Sequence, residues 1–215
     1  VIELSGVPLV GPSANTSGKP SPTTADHVFH DLQGKITGII DDGATRIGVE
    51  STVLDLSDPT AMPMILRPGA VTKEQIEAVI ESPVAIDQHL VKENETPKAP
   101  GMKYKHYSPD TRVLMVREGD WSTAVQWAKN KKIRVGVIAS PEISDQVRTD
   151  TAAVYMYNDN SVEAAAKGLF AGLRGLDEPT LGLDLIFVQV YPETGLGNAY
   201  MNRLKKAAGQ NYFEK

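Results

Sequence analysis

Hydroxyls, one amide and one guanidinium are the side chains here best suited to chemistry, and their spacing groups them. Ser13 and Asn15 stand two apart in the run Gly11-Pro12-Ser13-Ala14-Asn15-Thr16-Ser17-Gly18-Lys19-Pro20-Ser21-Pro22-Thr23-Thr24, so in extended backbone they share one face. Gly11, Ala14 and Gly18 leave the main chain open to a phosphate or carboxylate. Ser21-Pro22 reads as an N-cap with proline at the first helical position, and free amides at that helix start favour an anion. The competing reading is an ordinary strand-to-helix connection in which these side chains satisfy their own turn.

Three later blocks add to the set. Glu50-Ser51-Thr52-Val53 opens a strand after Gly48, where a hydroxyl pair could hold a small zwitterion such as an amino acid; a strand of alternating Ser, Val and Leu needs no such role. Glu50 reads as structural rather than as a base. Arg67 ends an apolar strand and is followed by Pro68-Gly69, a rigid turn that aims its guanidinium above the strand end. That suits bidentate phosphate contact, with a salt bridge to a nearby carboxylate as the alternative. In Ala99-Pro100-Gly101-Met102-Lys103-Tyr104-Lys105-His106-Tyr107-Ser108-Pro109, His106 and Tyr107 could close over a ligand while Lys103 and Lys105 neutralise phosphate. An aromatic plug between two domains is the other reading. His27, His30 and His89 lack metal-like spacing, so no metal site is expected. Thr194-Gly195-Leu196-Gly197 reads as a helix-entry turn, since the third glycine of a dinucleotide fingerprint is missing.

The elements that must position these residues follow from periodicity. Through residue 81 the pattern predicts strand Val7–Val10, helix Pro22–Gln33, strands Ile36–Asp41, Ser51–Leu56 and Met64–Arg67, and helix Lys73–Glu81. The last opens on a Thr72-Lys73-Glu74-Gln75 capping box. Residues 82–110 lose periodicity and gather prolines among charges, which predicts a long interdomain linker. From Arg112 on, strands Val113–Val116, Ile133–Ala139, Ala153–Tyr157 and Leu185–Val190 alternate with helices Thr123–Asn130, Glu142–Arg148, Val162–Leu176 and Ala199–Ala208. Four such units predict a parallel sheet with helices on both faces, and Ile186-Phe187-Val188 predicts strands buried on both sides. The fold class is therefore α/β, in three parts: residues 1–81, linker 82–110, and a Rossmann-like domain over 111–215.

Composition narrows the function classes. The 215 residues include no cysteine, which excludes disulfides, thiolate catalysis and cysteine-ligated zinc. No apolar run approaches the ~18 residues of a membrane span, and no signal peptide is visible, so a cytoplasmic protein is expected. Net charge is -5. Residues 1–98 hold 7 Lys/Arg against 14 Asp/Glu, whereas 110–215 balance at 13 each. Direct nucleic-acid binding calls for the opposite sign.

The four blocks in this order, with the closing Gly195-Leu196-Gly197-Asn198-Ala199-Tyr200-Met201-Asn202-Arg203-Leu204, resemble the threonylcarbamoyl-AMP synthases of the YrdC-like family in their two-domain form. The resemblance covers nearly the whole chain. It implies a YrdC-like α/β part, a long linker and a C-terminal accessory domain. It also implies synthesis of threonylcarbamoyl-adenylate from L-threonine, bicarbonate or CO2, and ATP, with magnesium accompanying ATP. Pyrophosphate leaves, and a separate tRNA threonylcarbamoyl transferase complex acts downstream. By resemblance Ser13, Asn15, Ser21, Arg67 and Tyr107 are assigned to ATP, Gly11 and Ser51 to threonine, and Lys103, Lys105 and His106 to a lid. No catalytic nucleophile is implied. Val1 aligns near the middle of the family's catalytic domain, whose Lys-x-Arg element lies earlier, so the chain is expected to carry only the later half of that domain. An RNA-binding module and a non-catalytic regulatory module are the alternatives.

Overall fold

The computed structural model describes residues 1–87 and 107–214. In chain order its elements are α1 (Ile2–Ser5), α2 (Ala25–Leu32), β1 (Val53–Asp55), β2 (Met64–Arg67), α3 (Lys73–Ile80), β3 (Ala85–Ile86), β4 (Arg112–Val116), α4 (Trp121–Asn130), β5 (Val135–Ala139), α5 (Pro141–Val147), β6 (Ala153–Met156), α6 (Val162–Leu176), β7 (Leu185–Gln189) and α7 (Leu196–Ala207). The mixed α/β class expected from the alternating pattern is what forms.

The C-terminal part is a four-stranded parallel sheet in the order β4-β7-β5-β6. Side chains alternate across it. Leu114, Val116, Val137 and Phe187 face one way, onto Trp121, Ala124, Val125 and Ala128 of α4 and Ile143 and Val147 of α5. Met115, Ile138, Ile186 and Val188 face the other, onto Leu169, Leu173, Tyr200 and Leu204 of α6 and α7. Right-handed crossovers require this arrangement, because outward steps put their helices on one face and the return step puts its helix on the other.

Helix α6 begins at Ser161, whose hydroxyl accepts from the Ala164 N–H at 3.1 Å. Its Gly168 and Gly172 let the backbone lie against Tyr157 and Tyr155, where an added Cβ would come within 2.8 Å of a ring carbon. The chain end returns to the sheet. The Met115 N–H donates to Asn211 O at 3.0 Å and the Phe213 N–H to Met115 O at 2.8 Å, covering the outer edge of β4.

The N-terminal sheet is small. Strand β1 pairs antiparallel with β2, and β2 pairs parallel with β3. Thr72 forms the expected capping box with Gln75 at the start of α3. Strand β3 lies inside the stretch read as linker and extends this sheet.

Two predicted strands do not form: Val7–Val10 and Ile36–Asp41 run as irregular chain. Val10 and Ile40 are exposed, and no described strand pairs with them, so their apolar pattern has neither ladder nor core to join. Helix α2 also starts later than predicted. Thr24, not Ser21, is its N-cap and accepts from the His27 N–H at 3.3 Å, while the Ser21 hydroxyl donates to Glu50.

The two parts meet closely. A Cβ at Gly48 would lie 2.5 Å from the backbone of Lys167 on α6. Arg174 of α6 donates to Pro20 O at 2.6 and 3.1 Å and forms a two-pronged ion pair with Asp31 at 2.7 and 3.1 Å. These donors hold the Asp31 carboxyl well below the usual carboxylate range, against the upward push of burial.

Candidate active site

Arg67 sits at the end of β2, and its buried guanidinium turns back onto the segment before β1. Its Nε and Nη2 donate to Ser51 O at 3.1 and 3.0 Å, and Nη2 reaches Ser51 Oγ at 3.4 Å. The turn that follows fits the same segment: a Cβ at Gly69 would come within 2.2 Å of Thr52 N. Glycine is therefore required there by contact. Among the described residues the guanidinium rests on a backbone carbonyl, that of Ser51.

Tyr107 joins this cluster from the far side of the linker. Its hydroxyl is hydrogen-bonded to Arg67, its ring packs on Phe170 at 5.1 Å, and it is only 1% exposed. The ring is part of the core between the two parts, as the plug reading had it, and its hydroxyl is the portion that meets the site. Burial, chiefly, raises the phenol above its ordinary pKa.

Glu50 and Ser21 complete the junction. The Ser21 hydroxyl donates to Glu50 Oε1 at 2.5 Å, while Arg203 Nε, from α7, donates to Glu50 Oε2 at 2.9 Å. Burial pushes the Glu50 carboxyl up, but the Arg203 charge and the Ser21 hydroxyl outweigh it and leave it below its usual value. Arg203 also donates to Pro68 O and, at 3.3 Å, to Glu50 O. Sequence reasoning read Glu50 as structural and did not single out Arg203. The available signal was a cation on an apolar helical stripe: Ala199, Arg203 and Ala207 recur at a spacing of four beside Tyr200 and Leu204.

The loop carrying the other predicted residues is fastened to the same place. Gly18 O accepts from the Ser108 N–H at 2.9 Å, and Lys19 pairs with Asp110 at 2.6 Å. Asn15 Nδ2 donates to Thr16 O and Lys19 O at 3.0 and 3.1 Å, and its Oδ1 is buried with no partner among the described residues. Ser13 and Gly11 are exposed. A neighbouring cavity of about 590 Å³ is lined by Thr16, Lys19, His27, Asp31 and Arg174, and by none of Ser13, Asn15 or Arg67. The structure thus brings Ser21, Ser51, Arg67 and Tyr107 together, with Ser13 and Asn15 on an adjoining loop. Lys103, Lys105 and His106 lie outside the described residues. Among the described residues, no group of three or more His, Cys, Asp or Glu is placed to hold a metal ion.

Lys206, one turn beyond Arg203, is buried beside the cluster. Burial first, then the Arg203 and Arg67 charges, bring its amine down to about 8 from 10.5. Between those values the unfolded chain holds a proton that the folded chain has released, so stability rises with pH across the window and the penalty is felt in full below it. Relative to Lys206→Met, the wild-type unfolding free energy is expected to increase by on the order of 3 kcal/mol from neutral pH to beyond the window. Urea titrations of both proteins check this, and parallel curves would refute it.

Comparison with known proteins bears on this geometry. A family model described as threonylcarbamoyl-AMP synthase, C-terminal domain, matches residues 71–209, and one described as telomere recombination matches 1–69. The threonylcarbamoyl-AMP synthase of Bacillus subtilis is 46% identical over 97% of the chain and 59% of its own length. That of Pyrococcus abyssi is 44% identical over 97% and 60%, and that of Schizosaccharomyces pombe 38% over 97% and 54%. The crystal structure of P. abyssi Sua5 complexed with L-threonine superposes with a TM-score of 0.86 at 43% identity, over 100% of this chain and 62% of that one. The chain therefore spans about 60% of the length of these two prokaryotic relatives. With a family model matching well over half of its residues, the chain belongs to the threonylcarbamoyl-AMP synthase family.

Proposed function

We propose that this protein condenses L-threonine, bicarbonate or CO2, and ATP into threonylcarbamoyl-adenylate, releasing pyrophosphate, as the first step in forming tRNA threonylcarbamoyladenosine. The observation that carries the reading is the meeting of Arg67, Ser51 and Tyr107 at one junction, in a chain 43% identical to a protein solved with L-threonine bound. In this reading Ser51 and the Gly11 backbone face threonine. Ser13, Asn15, Ser21, Arg67 and the Tyr107 hydroxyl face ATP, and the unpartnered Asn15 Oδ1 supplies an acceptor for it. Lys103, Lys105 and His106 belong to a segment that closes over both ligands.

The chemistry asks for no protein nucleophile. The threonine amine attacks CO2 or bicarbonate, the carbamate oxygen attacks the α-phosphate, and the bond from that phosphorus to the bridging oxygen breaks to release pyrophosphate. The protein's part is to align the reactants, neutralise charge and keep water from the carbamate and the mixed anhydride. Magnesium enters with the triphosphate as its counter-ion. Residues 1–81 with β3 form the ligand-binding part, the rest of 82–110 the tether, and 111–215 the accessory domain. We place the protein in the cytoplasm, upstream of a tRNA threonylcarbamoyl transferase complex and without direct tRNA binding. Among the described residues no helix is long and apolar enough to cross a membrane.

The test is pyrophosphate release from ATP, with bicarbonate, measured with and without L-threonine. Release that depends on threonine supports the reading. Equal release in both reactions, or none, removes it.

A further inference from the structure

Arg203 reaches out of its own domain. It has no exposed surface and makes one contact within its helix, Nη1 to Ala199 O at 3.5 Å. Its remaining bonds go to Glu50 Oε2, Glu50 O and Pro68 O. Those two partners are the residue before Ser51 and the residue after Arg67. A guanidinium buried this deeply carries a desolvation cost that an apolar side chain packed at the same junction would not. Holding two domains together does not explain it.

What it does explain is the state of Glu50. This carboxylate is held by Ser21 on one oxygen and Arg203 on the other, one residue from the carbonyl on which Arg67 rests. Released from Arg203, a charged Glu50 has a second guanidinium within a residue's reach, and it stands as an anion beside a site that must accept a triphosphate. We propose that Arg203 of the accessory domain is a positioning residue for the nucleotide: it sequesters Glu50 so that the carboxylate neither captures Arg67 nor repels the phosphates. The accessory domain thereby completes the site. The inference rests on the reading of Arg67 as a phosphate ligand.

The experiment is ATP binding by calorimetry to wild type, Arg203→Met, Glu50→Gln and the double variant, at a temperature where circular dichroism gives each as folded. Arg203→Met is expected to weaken ATP by about tenfold or more, the loss of one charge-assisted contact. Adding Glu50→Gln, which removes the freed charge, is expected to bring affinity back to within about threefold of wild type. Because every variant is compared in its folded state, recovered stability alone does not restore affinity, and a double variant no better than Arg203→Met overturns the proposal. So does wild-type affinity in Arg203→Met. If Arg203→Met does not fold, Glu50→Gln alone decides: binding at least as tight as wild type supports sequestration, and weaker binding refutes it. A wild-type protein that binds no ATP fails the functional reading itself, a different outcome from failure of the variants.

Discussion

Arg203→Met is expected to lower the unfolding free energy by roughly 3–5 kcal/mol, because it strips a largely buried Glu50 carboxylate of the ion pair that holds it. Arg203 is fully buried and the Glu50 side chain is 15% exposed, so solvent softens the loss only in part. The same argument gives the sign of the companion variant. Glu50→Leu combined with Arg203→Met removes both charges, and most of the lost stability is expected to return. Chemical denaturation of the two variants and wild type measures this. If the double variant is as unstable as the single, the cost lies in lost packing and not in a stranded charge.

Arg67→Ala is expected to lower kcat/KM for threonine-dependent pyrophosphate release by about 10²- to 10³-fold, the size seen when a single pre-placed donor is removed from a developing anion. Arg67 also ties Ser51 O to the Tyr107 hydroxyl, so part of the loss comes through displaced neighbours. Arg67→Lys separates the contributions. A lysine keeps the charge but loses the planar fork that spans Ser51 and the ligand, and its activity is expected to fall between alanine and wild type. Turnover unchanged in Arg67→Ala would remove this residue from the site.

The elements most legible in the sequence are those whose stabilising contacts are local. Helix α6 runs from Val162 to Leu176 as its apolar stripe and Ser161 cap require, and the Thr72 capping box starts α3 where expected. The parallel sheet was readable because its strands are apolar throughout and each is followed by a helix. Val7–Val10 and Ile36–Asp41 misled for the converse reason: strand-like composition forms a strand only where a neighbour offers hydrogen bonds. Ser21 misled because its hydroxyl is turned to donate to Glu50, distant in sequence, while the helix start takes its cap from Thr24. Ser51, Arg67 and Tyr107, which the structure brings together, were singled out by residue type with the family resemblance, and their service as a site is the proposal. Arg203 was not, since nothing in a balanced C-terminal charge pattern announces that one of its cations faces inward.

The last residues of the described chain are a stopper as much as a tail. Asn211 to Phe213 occupy both backbone groups of Met115, at the middle of β4, that another copy of the same strand would otherwise find open, and an open strand border recruits its own kind. Loosening of these residues would reopen that border.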